Sequence, residues 1–215
     1  SYISQIKAFK DNVSIKSCLS YTFSVSNSQG TSLIKDRPFT AEMTRSIMLL
    51  KEKHYRPRMA DYRIGVFFTG REQLGEGAKT TAPVYYANRW DIQPSDTAAY
   101  LRGEKVKPTK QIVFYIDNTF PEKWKPYLRE GVTQWNELFE QIGFKDVVAA
   151  KDFPTDDPEF DPDNIKYSCV RYAPSSIENA MGPSWVDPRS GEILNASVYL
   201  YHNVIKLCLL YTSDA

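Results

Sequence analysis

The sequence predicts a mixed α+β and α/β chain, in which a β-rich stretch gives way to a mainly parallel mixed sheet with a backing helix and an antiparallel edge strand. Three observations carry that expectation. Up to about Pro94, apolar residues fall in short runs broken by Asp11-Asn12 and Ser26-Asn27-Ser28-Gln29-Gly30, the pattern of antiparallel strands and turns. From Trp124 to Ile142 they recur every three or four residues, as on one face of a helix. Between these stretches, Ile112-Val113-Phe114-Tyr115-Ile116 is apolar without a break, as expected of a parallel strand covered on both faces.

Taken in order, Ile3, Ile6, Val13, Ile15 and residues 19–23 supply the first strands. Further strands are expected over residues 42–50, over 62–69 with Ile64, Val66 and Phe68 on one face, and over 83–92. Arg56-Pro57-Arg58 and Gly75-Glu76-Gly77 punctuate them as loops. Residues 1–94 thus read as an incomplete β-rich accessory domain. Residues 95–109 read as a linker, because Pro94, Gly103 and Pro108 sit among polar and charged residues that discourage regular structure. After the strand at 111–117, Asn118-Thr119-Phe120-Pro121 offers a cap and an early proline for helix entry. The stripe Trp124, Tyr127, Leu128, Val132, Trp135, Leu138, Phe139 and Ile142 then predicts one helix ending near Gly143. Pro126 fits it only in the first turn. Residues 144–150 form the next strand, closing a right-handed βαβ unit, and 165–172 the one after. Residues 180–186 and 192–201 read as a hairpin around Asp187-Pro188-Arg189-Ser190-Gly191.

Composition narrows the function classes. With 215 residues, 42% hydrophobic and 13% aromatic, the chain has ample material for a packed core. Its 27 Lys and Arg against 26 Asp and Glu leave a net charge of +1, so no field draws it to nucleic acid. No apolar run approaches the ~18–20 residues of a membrane span. Cys18, Cys169 and Cys208 are too few and scattered for a disulfide framework, and with His54 and His202 they make no closed zinc site. The chain starts at Ser1 without a leader, which reads as an internal start. Residues 208–215, Cys-Leu-Leu-Tyr-Thr-Ser-Asp-Ala, match the frame translation of TGTCTCTTATACACATCTGACGCT, which resembles a transposase adapter used in preparing sequencing libraries. They are expected to be a sequencing artefact and are set apart from fold reasoning.

Candidate chemistry is sparse. A thiol protease would need Cys169, His202 and a carboxylate such as Asp187, yet Cys169 lies in a strand between apolar neighbours, where a thiol acts as a small buried hydrophobe. Gly182-Pro183-Ser184-Trp185-Val186 lacks the second glycine of a nucleophile elbow. The acidic residues Asp152, Asp156, Asp157, Glu159, Asp161 and Asp163 are the densest set of hard ligands; they read first as a solvated, proline-punctuated connection and second as a weak Ca²⁺ candidate without EF-hand spacing. His54 reads as exposed, and His202 as a hydrogen-bonding residue at a strand-to-helix corner. At Ala180, Met181, Gly182, Pro183 and Ser184 two readings stand side by side: an edge that pairs an extended peptide, or an edge capped by Pro183 or covered by further chain.

Several segments carry a family likeness. Ile112-Val113-Phe114-Tyr115-Ile116-Asp117, Glu130-Gly131-Val132, Trp135-Asn136, Gly143-Phe144-Lys145-Asp146, the run from Asp187 to Ile193 and Tyr201-His202-Asn203-Val204 resemble the start of the catalytic domain of large bacterial zinc-dependent metalloproteases with a metzincin-like fold. Pro57-Arg58, Arg63-Ile64-Gly65 and Asn88-Arg89-Trp90-Asp91 resemble the β-rich domain that precedes it. The resemblance covers residues 1–207 and implies that 110–207 are the N-terminal part of a metallopeptidase domain. It implies a sheet order of 2-1-3-5-4 with residues 180–186 as the substrate-pairing edge, a peptide or protein substrate, and an exported parent, whether periplasmic, outer-membrane-associated or extracellular. In that family a later helix carries HExxH, whose histidines bind Zn²⁺ and whose glutamate activates water. No HExxH occurs in this sequence, and neither His54 nor His202 matches a family ligand. The chain is therefore expected to be an inactive fragment holding no zinc of its own. The rival expectation is a noncatalytic β-sheet interaction module.

Overall fold

A computed structural model describes residues 1–52, 55–75 and 81–213, and the chain divides into two compact units. The first comprises Ser1–Lys51 with Asp161–Ile165, and the second Glu52–Phe160 with Lys166–Ala215.

The first unit is an antiparallel sheet of β1 (Tyr2–Ala8), β2 (Asn12–Ser26) and β3 (Ser32–Met48), with β2 in the middle. The polar run after β2 makes the tight turn its composition predicts: Asn27 Oδ1 accepts from the amides of Gln29 at 3.0 Å and Thr31 at 2.8 Å. β3 begins ten residues before the strand expected at 42–50, and Pro38 lies within it, opposite Thr22. Proline is tolerated there because β3 is an edge strand, where a missing N–H need break no ladder. Tyr21 and Phe39 pair across the sheet with ring centroids 5.4 Å apart. The distant segment Asp161–Ile165 is joined to the sheet by polar contacts. Buried Asn12 donates to Asn164 Oδ1 at 2.8 Å, and the Lys7 ammonium lies 2.9 Å from Asp161 and 2.7 Å from Asp163.

In the second unit, β4 (Phe68–Gln73) and β5 (Ala82–Ala87) form a small hairpin. The strand expected at 62–69 starts only at Phe68. Ahead of it, Asp61 accepts from the Arg63 amide, and the amides of Ile64 and Val66 close local turns, so the backbone spends its donors before a ladder can form. From residue 76 the glycine loop lies outside the described residues. Regular structure does appear among residues 95–109: α1 (Thr97–Leu101) forms because Asp96 accepts from the Ala99 amide at 2.9 Å, and it closes ahead of Gly103 at φ 85°.

The main sheet contains β6 (Ile112–Ile116), β7 (Val148–Asp152), β8 (Ser168–Ala173), β9 (Ala180–Met181), β10 (Ser184–Val186) and β11 (Ile193–Tyr201). Its order is β7-β6-β8-β11-β10, with β9 also on β11. β7, β6, β8 and β11 run parallel, while β9 and β10 run antiparallel to β11, so the sheet is mixed and mostly parallel, in the order anticipated. The expected single helix is two, α2 (Lys125–Thr133) and α3 (Asn136–Gln141), with Gln134 and Trp135 keeping right-handed helical angles between them. Asn136, where α3 begins, is drawn to the sheet: its side chain accepts from the Val148 amide and donates to the Val148 carbonyl, each at 2.8 Å. Pro126 occupies the first turn, as required.

Among the described residues the core has two buried clusters. One gathers Ala99, Val106, Ile112, Phe144, Val147 and Val148; the other holds Ile116, Phe120 and Val170 under the helical face. On the opposite sheet face, Tyr115 meets Phe160 and Tyr167 with centroids 5.2 and 5.4 Å apart. After β11 the chain turns through His202 and Asn203 into α4 (Val204–Ser213), so helical backbone runs into the segment set apart in the sequence. Among the described residues no helix is long and apolar enough to cross a membrane.

Candidate functional site

The outer strand of the main sheet is built by a turn that its own residues lock. Asp187, only 5% exposed, accepts from three donor groups of Arg189: Nη2 at 2.7 Å, the amide at 2.8 Å and Nε at 3.0 Å. The Arg189 hydrogen bonds hold the Asp187 carboxyl below its ordinary pKa, against the opposing effect of burial. Gly191, at φ 78°, completes the turn where a Cβ would lie 2.6 Å from the Ala87 carbonyl oxygen.

That turn returns β10 and β9 along β11. Pro183 O accepts from the Ser197 amide at 2.9 Å and Asn179 O from the Tyr201 amide at 3.4 Å. Successive residues of a strand point their backbone groups to opposite sides, so the N–H and C=O of Gly182 and Ser184 face the open side. The N–H that Pro183 lacks belongs on the β11 side, and the proline leaves the outer edge intact. Ala180, Met181, Gly182, Pro183 and Ser184 are all exposed, with the Ala180 amide taken up by Asn179 Oδ1 at 2.8 Å. This edge can accept an extended chain through main-chain hydrogen bonds.

On the sheet face that carries α2, an apolar groove of about 490 Å³ runs from Val148 of β7 across to Val198 and Leu200 of β11. Phe114, Val170, Val198 and Leu200 line it from the sheet, and Gly131 from α2. Tyr127 and Trp135 flank Gly131 at helical spacing, 74% and 60% exposed, and a Cβ on Gly131 would meet nothing within 4 Å.

The other sequence candidates are engaged elsewhere. Cys169 is buried at 1% exposure with its Sγ on the Tyr167 carbonyl. His202 stands at the corner between β11 and α4, its Nδ1 2.6 Å from Tyr172 Oη and its ring stacked on Trp124. In the acidic stretch, Asp157 accepts from the Glu159 amide, Asp152 takes Arg129, and Asp161 and Asp163 share Lys7. Burial works against the Lys7 ammonium, but its hydrogen bonds to Asp163 and Asp161 prevail and raise its pKa. Asp156, Asp157 and Glu159 are exposed. Among the described residues no three His, Cys, Asp or Glu side chains are grouped to hold a metal ion, and His54 lies outside the described residues. Sequence reasoning gave no role to the side chains of Asn136 and Tyr172, whose partners lie 12 and 30 residues away and leave no local signature.

Residues 1–95 match the profile of a domain of unknown function, DUF5117, which spans less than half of the 215-residue chain. No curated protein and no solved structure matches the sequence.

Proposed function

We propose that this chain is part of a zinc-dependent metalloendopeptidase, with residues 110–207 forming the front of a metzincin-like catalytic domain and residues 1–94 an accessory domain before it. One observation carries the proposal: a mostly parallel sheet in the order β7-β6-β8-β11 that ends in an antiparallel, exposed edge strand. Such an edge lays out a substrate in extended form, with Gly182 and Ser184 offering backbone donors and acceptors while the Asp187–Arg189 turn keeps the strand in place. The resemblance of the segment from Asp187 to Ile193 supports the same assignment and, with it, export of the parent.

The donors present do not fit a zinc centre. HExxH is absent from the sequence, and among the described residues no suitable group of side chains converges. Hydrolysis is therefore assigned to the longer parent, with metal ligands and general base outside this chain, and no chemical step is given to a side chain here. The test is to express the chain with the coding sequence that follows Leu207 in its genome. Stoichiometric zinc and chelator-sensitive hydrolysis of unfolded casein are expected for the extended protein, and neither for the present chain. An intact gene that continues without HExxH overturns the assignment.

A second reading, a noncatalytic β-sheet interaction module, is favoured by the same open edge. It predicts that the extended protein binds an unstructured peptide and leaves it uncut.

A further inference from the structure

The main sheet has two outer strands, and they are not equivalent. At β7 the backbone groups of Val148 point away from β6, since Ile112 takes the neighbouring Val147 carbonyl instead, at 2.8 Å. An outward N–H and C=O are what an added strand pairs with. Here both are already used: the Asn136 carboxamide accepts from one and donates to the other, imitating the backbone of a neighbouring strand. At the far end of β7, Arg129 Nη2 reaches the Asp152 carboxylate at 2.6 and 2.7 Å.

Arg129 and Asn136 lie seven positions apart, and the helical angles at Gln134 and Trp135 keep both on one face. Seven residues of helix rise ~10 Å, close to the ~13 Å from Val148 to Asp152 along a strand. The helical segment thus lies along β7 with one polar contact at each end.

We infer that Asn136 guards the β7 edge at Val148, with Arg129 holding the helix alongside through the Asp152 side chain, so that strand addition is directed to the β9–β10 edge, where Gly182 and Ser184 face outward. The guard is independent of any peptidase assignment; only the use of the other edge rests on that reading. Asn136 is a positioning residue whose loss creates a second pairing surface, with an extended polypeptide, including another copy of this chain, as the partner it would then take.

Hydrogen exchange on the unaltered chain tests the guard directly. The Val148 amide is expected to be protected, and Asn136→Ala to speed its exchange about tenfold, the loss of one hydrogen bond of typical strength. Asn136→Ala is also expected to self-associate in sedimentation velocity at concentrations where the unaltered chain is monodisperse. Adding Ala150→Pro, which removes the next outward N–H of β7, should reverse that association. If Asn136→Ala does not fold, Asn136→Asp carries the association test alone, since it loses the donor for the Val148 carbonyl while keeping the acceptor for the Val148 amide. Rapid exchange of Val148 in the unaltered chain, or a folded variant that associates no more than the unaltered one, overturns the inference.

Discussion

Asp187 shows how one side chain sets the position of an edge. Its carboxylate closes the turn between β10 and β11 by accepting from three donor groups of Arg189, and these bonds lower its pKa from the ordinary value of 3.8. A group whose folded pKa is depressed contributes stability above its unfolded pKa and loses it as pH falls through the folded value. Melting temperature measured on the acid side should therefore drop below pH ~4, and the drop attributable to this turn should vanish in Asp187→Asn. An unchanged acid profile in that variant would show that the turn stands without the charge. The turn itself was legible, because Asp-Pro-Arg-Ser-Gly is punctuation of a recognisable kind. The carboxamide of Asn136 was not. Its spacing from Trp135 fits an ordinary helical surface, and its partner on β7 becomes visible only when helix and strand are docked.

For the elements, periodicity located the strands of the main sheet and the helical stripe, since burial against a neighbour imposes a repeat. It did not show the break between α2 and α3, because apolar spacing of three and four continues through residues 132–142 and Gln134 and Trp135 keep helical angles. It also extended the strand at 62–69 too far, since a turn built on Asp61 competes with alternation and wins locally. Within α2, Gly131 costs helix stability without being required by the backbone, and the space at its Cβ is open. Gly131→Ala is expected to stabilise the protein by roughly 0.5–1 kcal/mol in urea unfolding. A loss of stability instead would mean that the groove is more crowded than its geometry indicates.

At the scale of the whole chain, 27 Lys and Arg nearly balance 26 Asp and Glu, and no described helix is long and apolar enough to cross a membrane. The peptidase proposal rests on topology and likeness together, since no HExxH occurs in the sequence. The first unit was the less legible. It is β-rich and antiparallel as predicted, but the contribution of Asp161–Ile165 depends on contacts between residues more than a hundred and fifty positions apart. Asn12→Ala is expected to cost about 1–3 kcal/mol in urea unfolding, because Asn164 Oδ1 and the Ile165 amide lose a buried partner. The long connection also has a consequence in time. Asn12 leaves the ribosome 152 residues ahead of Asn164, roughly 8–30 s at ordinary translation rates of 5–20 residues per second. For that interval the nascent sheet must persist without its last polar contacts, dependent on whatever shelters it in the cell.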